Sequence, residues 1–314
     1  MSILFLEPVL KETIWGGTRL HDYQCQFDSD HVGEAWAISA HKNGDCQIKN
    51  GEYIGKTLSW LWDNHRELLD DVGGDVFPLL TKIIDANDDL SIQVHPDDSY
   101  AKEHENGSLG KTECWYILDA KEGGTIVIGH NATSKEEMRE MIENKRWSEF
   151  IREVPVKKGD FFQITPGTVH AIKGGTVILE TQQNSDITYR VYDYDRLSDG
   201  KPRELHLEKS MDVIEIPYKD CSLGCEATDN AEGSTKNNCF EQLVACDYYS
   251  VWKAKIDSAM DIIMDQHFML ISVIEGSGTI DGERIAKGDH FILLSDTNCV
   301  NVDGDMEWIV SAVR

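Results

Sequence analysis

The sequence predicts a mainly β protein of two modules, with a few helices packed against the first. Strand-like runs bounded by Gly, Pro, Asn and Asp recur over the 314 residues, among them AWAIS, CQIKN, LSIQVH, DFFQIT, YYSVWKAKI and GDHFILL. Only two segments place apolar residues at helical spacing. The polar, acidic stretch KDCSLGCEATDNAEGSTKNN, Lys219 to Asn238, parts the early strands from a late set. The expected division is therefore 1–218, a linker at 219–238, and 239–314.

In order, the first fifty residues read as short strands, with Trp36 an apolar strand aromatic. KTLSWLWDNHRELLDD, Lys56 to Asp71, puts Leu58, Leu61, Trp62, His65, Leu68 and Leu69 on one face of a helix. In the strand LSIQVH, alternation sends Ser91, Gln93 and His95 to one side. The chain then leaves through Pro96, Asp97 and Asp98, crosses a polar loop, and resumes at Lys111, Thr112 and Glu113. A second helix is expected from Ser134 to Arg152, with Ser134 and Glu137 as a capping box and Met138, Met141 and Ile142 buried. DFFQIT and the segment after Pro166 and Gly167 read as a hairpin. After Leu207 no further reactive motif occurs, only the late strands.

Acids outnumber bases 56 to 30, a formal charge of −26, which argues against nucleic acid and anionic membranes as partners. A bound phosphate would need its own local cations, because the overall field is screened over about 8 Å. No run approaches the roughly 20 apolar residues of a membrane helix. The first residues also lack a secretory pattern, so a cytoplasmic protein is expected. The eight cysteines include no C-x-x-C and read as reduced thiols, and Cys221 with Cys225 lacks the second pair a metal knuckle needs.

Imidazole nitrogen and carboxylate oxygen suit zinc or a similar divalent ion, which points to one metal site from His95, Glu113 and His170. Each alone is more often a hydrogen-bonded wall residue. Together, a His, an acid some twenty residues on and a later His after a Pro-Gly turn follow the order of ligands in cupin (jelly-roll) barrels. The late strands look like a second cupin-like module without metal, since His267 and His290 have no matching acid and His.

WGG at Trp15, GEAWAIS from Gly33, FPLLTKI from Phe77, LSIQVHPDD, GKTECWYIL, PGTVHAI and ETQQNSDITYRVYDYDR from Glu180 together resemble the type I mannose-6-phosphate isomerases, in their short bacterial form. The resemblance runs from about residue 8 to residue 210. It implies two cupin-like modules, one zinc ion per chain, and interconversion of mannose 6-phosphate and fructose 6-phosphate through an enediol. It also implies Gln93 as a fourth ligand and His170 reaching the metal from the wall opposite His95. Glu180 becomes a candidate proton carrier, Arg190 a cation at the reacting sugar, Ser91 and Arg196 phosphate-side residues, and Trp36 part of the pocket edge; Lys111, two residues before Glu113 and on its strand face, is a further candidate for polarising an oxygen or assisting proton transfer. A structural ion pair between Glu180 and Arg190 is the competing reading of those two. The expected partner is the sugar phosphate, in a monomer or weak homo-oligomer. The alternatives are a non-catalytic sugar-phosphate-binding cupin and an isomerase of a related aldose phosphate; the charged groups Lys111, Glu180, Arg190 and Arg196 count against the first. A zinc hydrolase is disfavoured because no H-E-x-x-H helix is present.

Overall fold

A computed structural model describes residues 3–198, 200–220 and 235–314. The Cys221–Cys225 pair and most of the expected linker, 221–234, lie outside the described residues.

Three antiparallel sheets account for most strands. The six-stranded sheet runs Phe161–Ile164, Glu113–Ala120, Thr176–Gln183, Leu79–Ala86, Val32–Ile38, Val9–Gly17. The five-stranded sheet runs Ile151–Pro155, Thr125–His130, His170–Ala171, Ile92–Val94, Tyr189–Tyr192. Apolar side chains of both, including Trp115, Ile117, Ile178, Ile126 and Ile128, form one core between them. The six-stranded sheet is buried on its other face too, where Leu79, Ile83, Cys114 and Leu179 meet Tyr249, Val251, Leu270 and Ile309 of a nine-stranded sheet. Every residue of LLTKIIDA and TVILETQQ is accordingly buried, the polar and charged ones among them included.

The nine-stranded sheet holds the late strands, with Trp252, Ile271, Phe291 and Trp308 in its own core. It also takes in Ile3–Glu7, which pairs with His290–Leu293 through Ile3–Leu293 and Phe5–Phe291. Its last strand, Cys299–Val313, begins well before the MEWIVSAV run and pairs with Met260–Ile263 as well.

The helices depart from the sequence expectation. The first spans only Leu58–Asn64, with the Thr57 hydroxyl accepting from Trp60 N–H. His65 leaves helical geometry at φ −140° and ψ 47°, and a 3-10 turn, Arg66–Leu69, follows. His65 itself is a packing residue between Tyr53 and Trp60. The second helix, Lys135–Glu143, starts on the Ser134 cap and buries Met138, Met141 and Ile142 as expected. Glu137 reaches back to the amide and hydroxyl of Thr133, one residue earlier than in a standard capping box. The helix stops because Lys145 turns left-handed at φ 54°, and Ile151 is taken into the strand Ile151–Pro155. The polar loop after His95 contains the helix Asp98–His104, with Asp97 accepting from Tyr100 N–H at 2.8 Å. Leu207–Val213 is a further helix.

The Pro-Gly segment does not close a hairpin. Phe161–Ile164 pairs with Glu113–Ala120, whereas His170–Ala171 pairs with Ile92–Val94 and Thr125–His130, so Thr165–Val169 carries the chain from one sheet to the other. Gly167 makes the crossing possible: its φ is 83°, and a side chain there would meet Val213 O at 2.8 Å.

Candidate active site

His95, Glu113 and His170 come together, though not from the walls expected. His95 follows Ile92–Val94 and His170 opens the neighbouring strand, so both imidazoles stand on the five-stranded sheet; Glu113 faces them from the six-stranded one. The Thr165–Val169 crossover is the cause, because it returns His170 beside Gln93. Each imidazole uses Nδ1 on a carbonyl, His95 on Ile187 O at 2.8 Å and His170 on Thr168 O at 2.9 Å. Those bonds require N–H at Nδ1, which leaves both Nε2 atoms as lone pairs.

The two Nε2 atoms lie 3.1 Å apart, and each is 3.4 Å from a different Glu113 oxygen. Glu113 is fully buried, and neither oxygen accepts a well-aligned hydrogen bond. Facing lone pairs beside a buried carboxylate are the donor set a divalent cation would satisfy. The three ligand atoms all lie within 4.8 Å of one another, the one such cluster among the described residues. His267 instead pairs with Asp70, and His290 with the Ser272 hydroxyl. The Gln93 amide nitrogen is 3.3 Å from His170 Nε2, so turning the amide over would present its oxygen to the same point.

A cavity of about 340 Å³ opens beside the cluster. Ser91, Gln93, Lys111, Glu180 and Arg190 line it, as does Glu34 of the GEAWAIS segment; so do Lys82, Asp186, Thr188 and Arg203, which the sequence analysis did not single out. Lys111 Nζ stands 2.8 Å from Glu113 Oε2, 3.3 Å from His95 Nε2 and 3.6 Å from Glu180 Oε1. Lys82 Nζ stands 3.3 Å from Glu180 Oε1 and 3.7 Å from Glu34. Glu180 also accepts from Trp115 Nε1 at 3.0 Å. The ion pair with Arg190 across adjacent strands is not formed among the described residues: the two strands lie in different sheets, and Glu180 faces Lys82 and Lys111. Arg190 instead donates to Glu204 O at 2.8 Å, and its buried Nε has no partner.

The electrostatics divide the carboxyls. Burial raises Glu180, and the neighbouring Glu113 charge adds to this against the opposing pull of Lys111 and Lys82. Burial works against ionisation of Glu113 as well, but the Lys111 charge holds it well below the usual range. Burial and the Lys111 charge push His95 down to about 3. Desolvation of Lys82 is outweighed by Glu34, Glu180 and Glu113, which keep it charged.

Two expected residues do not face the cavity. Arg196 is committed to Asp193 Oδ1 at 2.6 Å, Asp193 O at 3.2 Å and Asp89 O at 2.6 Å. Arg203 shares Asp193 with it, through Nε to Oδ2 at 2.7 Å, and lines the cavity. Trp36 is 5 % exposed; its Nε1 donates to Glu34 Oε2 at 2.5 Å and its ring lies 5.1 Å from Lys82 Nζ, so it stands behind two lining residues.

Packed antiparallel sheets with one buried His/Glu/His cluster beside a charged cavity define a cupin-type protein with a candidate metal centre. Residues 3–123 match the family model described as phosphomannose isomerase type I, catalytic domain, and residues 240–313 match that described as mannose-6-phosphate isomerase, cupin domain. The chain is 50 % identical to mannose-6-phosphate isomerase ManA of Bacillus subtilis over 98 % of each chain. It is 47 % identical to mannose-6-phosphate isomerase of Streptococcus mutans over 98 % of this chain and 97 % of that one. The crystal structure of the mannose 6-phosphate isomerase from Bacillus subtilis superposes with a TM-score of 0.92 at 46 % identity, covering 99 % of each chain. The chain belongs to the type I phosphomannose isomerase family. Among the described residues no helix is long and apolar enough to cross a membrane.

Proposed function

We propose that this chain interconverts mannose 6-phosphate and fructose 6-phosphate, with His95, Glu113 and His170 holding one zinc ion and Gln93 next to them. The observation that carries the reading is that Lys111 touches the cluster and lines the same cavity as Ser91, Arg190 and Arg203. The cavity thus brings a proton-transferring group and cations for an anion beside the residues that would hold a metal. Bound zinc would supply Lewis-acid charge toward the sugar oxygens.

The chain's own groups supply the rest. Aldose–ketose interconversion moves a proton between C1 and C2 through an enediol, which needs a carrier and positive charge where oxygen becomes anionic. Glu180, raised by burial and poised between Lys82 and Lys111, is suited to hold or release that proton, and Lys111 to donate to the sugar oxygen. Arg190 places a half-buried guanidinium on the strand next to Gln93. The phosphate fits the opposite end, at the Ser91 hydroxyl and Arg203, since Ser91 lies two residues from Gln93 along the strand, away from His95. Arg196 then acts through Asp193, which it and Arg203 share.

The test is to follow purified protein with mannose 6-phosphate in D2O by NMR. Fructose 6-phosphate carrying solvent deuterium at C1 is expected. Absence of fructose 6-phosphate with zinc-loaded, folded protein would overturn the proposal.

A further inference from the structure

We infer that the C-terminal strands brace the loop that presents Lys111, and that Tyr248 is the positioning residue through which they do so; the catalytic part of this inference rests on the function proposed above. Tyr248 sits in the turn between Phe240–Ala245 and Tyr249–Ile256 of the nine-stranded sheet. Its hydroxyl donates to Asp98 Oδ2 at 2.9 Å, a contact 150 residues distant in sequence. Asp98 opens the helix Asp98–His104, and its Oδ1 accepts from Gly110 N–H at 2.7 Å and from Gln183 Nε2 at 3.0 Å. Gln183 Oε1 in turn accepts from Thr112 N–H at 2.8 Å.

The amides on both sides of Lys111 are therefore tied into one network that ends on Tyr248. Lys111 N–H itself donates to Pro96 O at 3.0 Å, next to His95. Gly110 is pressed against the helix start, where a side chain would meet the Asp97 carbonyl carbon at 2.4 Å. The loop has no room to settle inward if the network loosens. The next residue, Tyr249, which opens the following strand, donates to Gln163 Oε1 at 3.2 Å, and Gln163 pairs with Cys114, the residue after Glu113. None of these groups reaches the cavity, so Tyr248 acts on Lys111 only through Asp98 and the loop. A displacement of about 1 Å in a reacting group can cost on the order of a hundredfold in rate, which gives such a brace its leverage.

Tyr248→Phe keeps the packed ring and removes only the hydroxyl. The expected result is a kcat about tenfold lower, the order of one hydrogen bond to a charged group, with KM within about twofold and metal content unchanged. Amide exchange at Gly110 and Thr112 is expected to quicken by about tenfold, while exchange in Cys299–Val313 stays as it was. After Asp98→Ala, adding Tyr248→Phe should cost nothing more. An unchanged kcat overturns the positioning role, and a full further loss in the double variant does the same. Unchanged exchange at Gly110 and Thr112 overturns the brace itself. If the parent protein shows no turnover, the proposed function fails, and the exchange measurement still decides the brace.

Discussion

Replacing Lys82 by methionine removes the charge between Glu180 and Glu34 while keeping most of the side-chain volume. At 3.3 Å and 3.7 Å the two attractions are about 5 and about 4.5 kcal/mol gross at an effective dielectric of about 20, against the large desolvation of a fully buried ammonium. Removing one member of such a buried group typically costs about 3–5 kcal/mol, because the partners are left buried without compensation. With an unfolding entropy of roughly 2.1 cal/mol/K per residue over 314 residues, that is a fall in Tm of about 5–8 °C. The deficit has a pH sign. Burial and the Glu113 charge already raise Glu180, and a raised carboxyl contributes stability that is complete below its unfolded value of about 4.3 and lost as pH rises through the folded value. Without Lys82 the folded value rises further, so calorimetric scans should show a larger loss at pH 8 than at pH 5. Adding Glu180→Gln should recover part of it. A Tm within 1 °C of the parent at pH 8 (about the experimental scatter) would refute the reasoning, as would a loss that grows toward acid pH.

Arg203→Ala should raise KM for the sugar phosphate by roughly tenfold or more, the value of a charge-assisted contact, and Arg196→Ala should raise it less because it acts through Asp193; steady-state kinetics on the pair reads both. Arg190→Ala should lower kcat at least about tenfold with metal retained, and undiminished turnover would remove it from the reacting end. His95→Ala should lose the bound metal by elemental analysis, and stoichiometric metal in that variant would count against the ligand set.

Much of the site could be read from the sequence because its residues break local patterns. A His in LSIQVH and a His after a Pro-Gly turn are polar residues where a strand wants apolar ones, and all three residues of the cluster prove buried. Lys82 carries the same signal, a lysine inside the strand LLTKIIDA, masked by the apolar residues around it. Arg203 carried none, since one more cation in a polar hairpin looks like any solvated surface. Arg196 is the more conspicuous arginine in YDYDR, yet its guanidinium folds back three residues onto Asp193. The same limit applied to the architecture. Strand existence followed from alternation, but the pairing of Ile3–Glu7 with His290–Leu293 joins opposite ends of the chain, and no local pattern specifies such a partner. The helix Asp98–His104 is too short to show a period, leaving only the Asp97 cap as a sign of it.

The most direct test is a coupled assay for fructose 6-phosphate formed from mannose 6-phosphate, on protein stripped with a chelator and again after zinc is restored. Turnover that disappears on stripping and returns with zinc is the predicted result. Full turnover by the stripped protein would contradict a metal role for His95, Glu113 and His170, and no turnover by folded, zinc-loaded protein would contradict the isomerase itself.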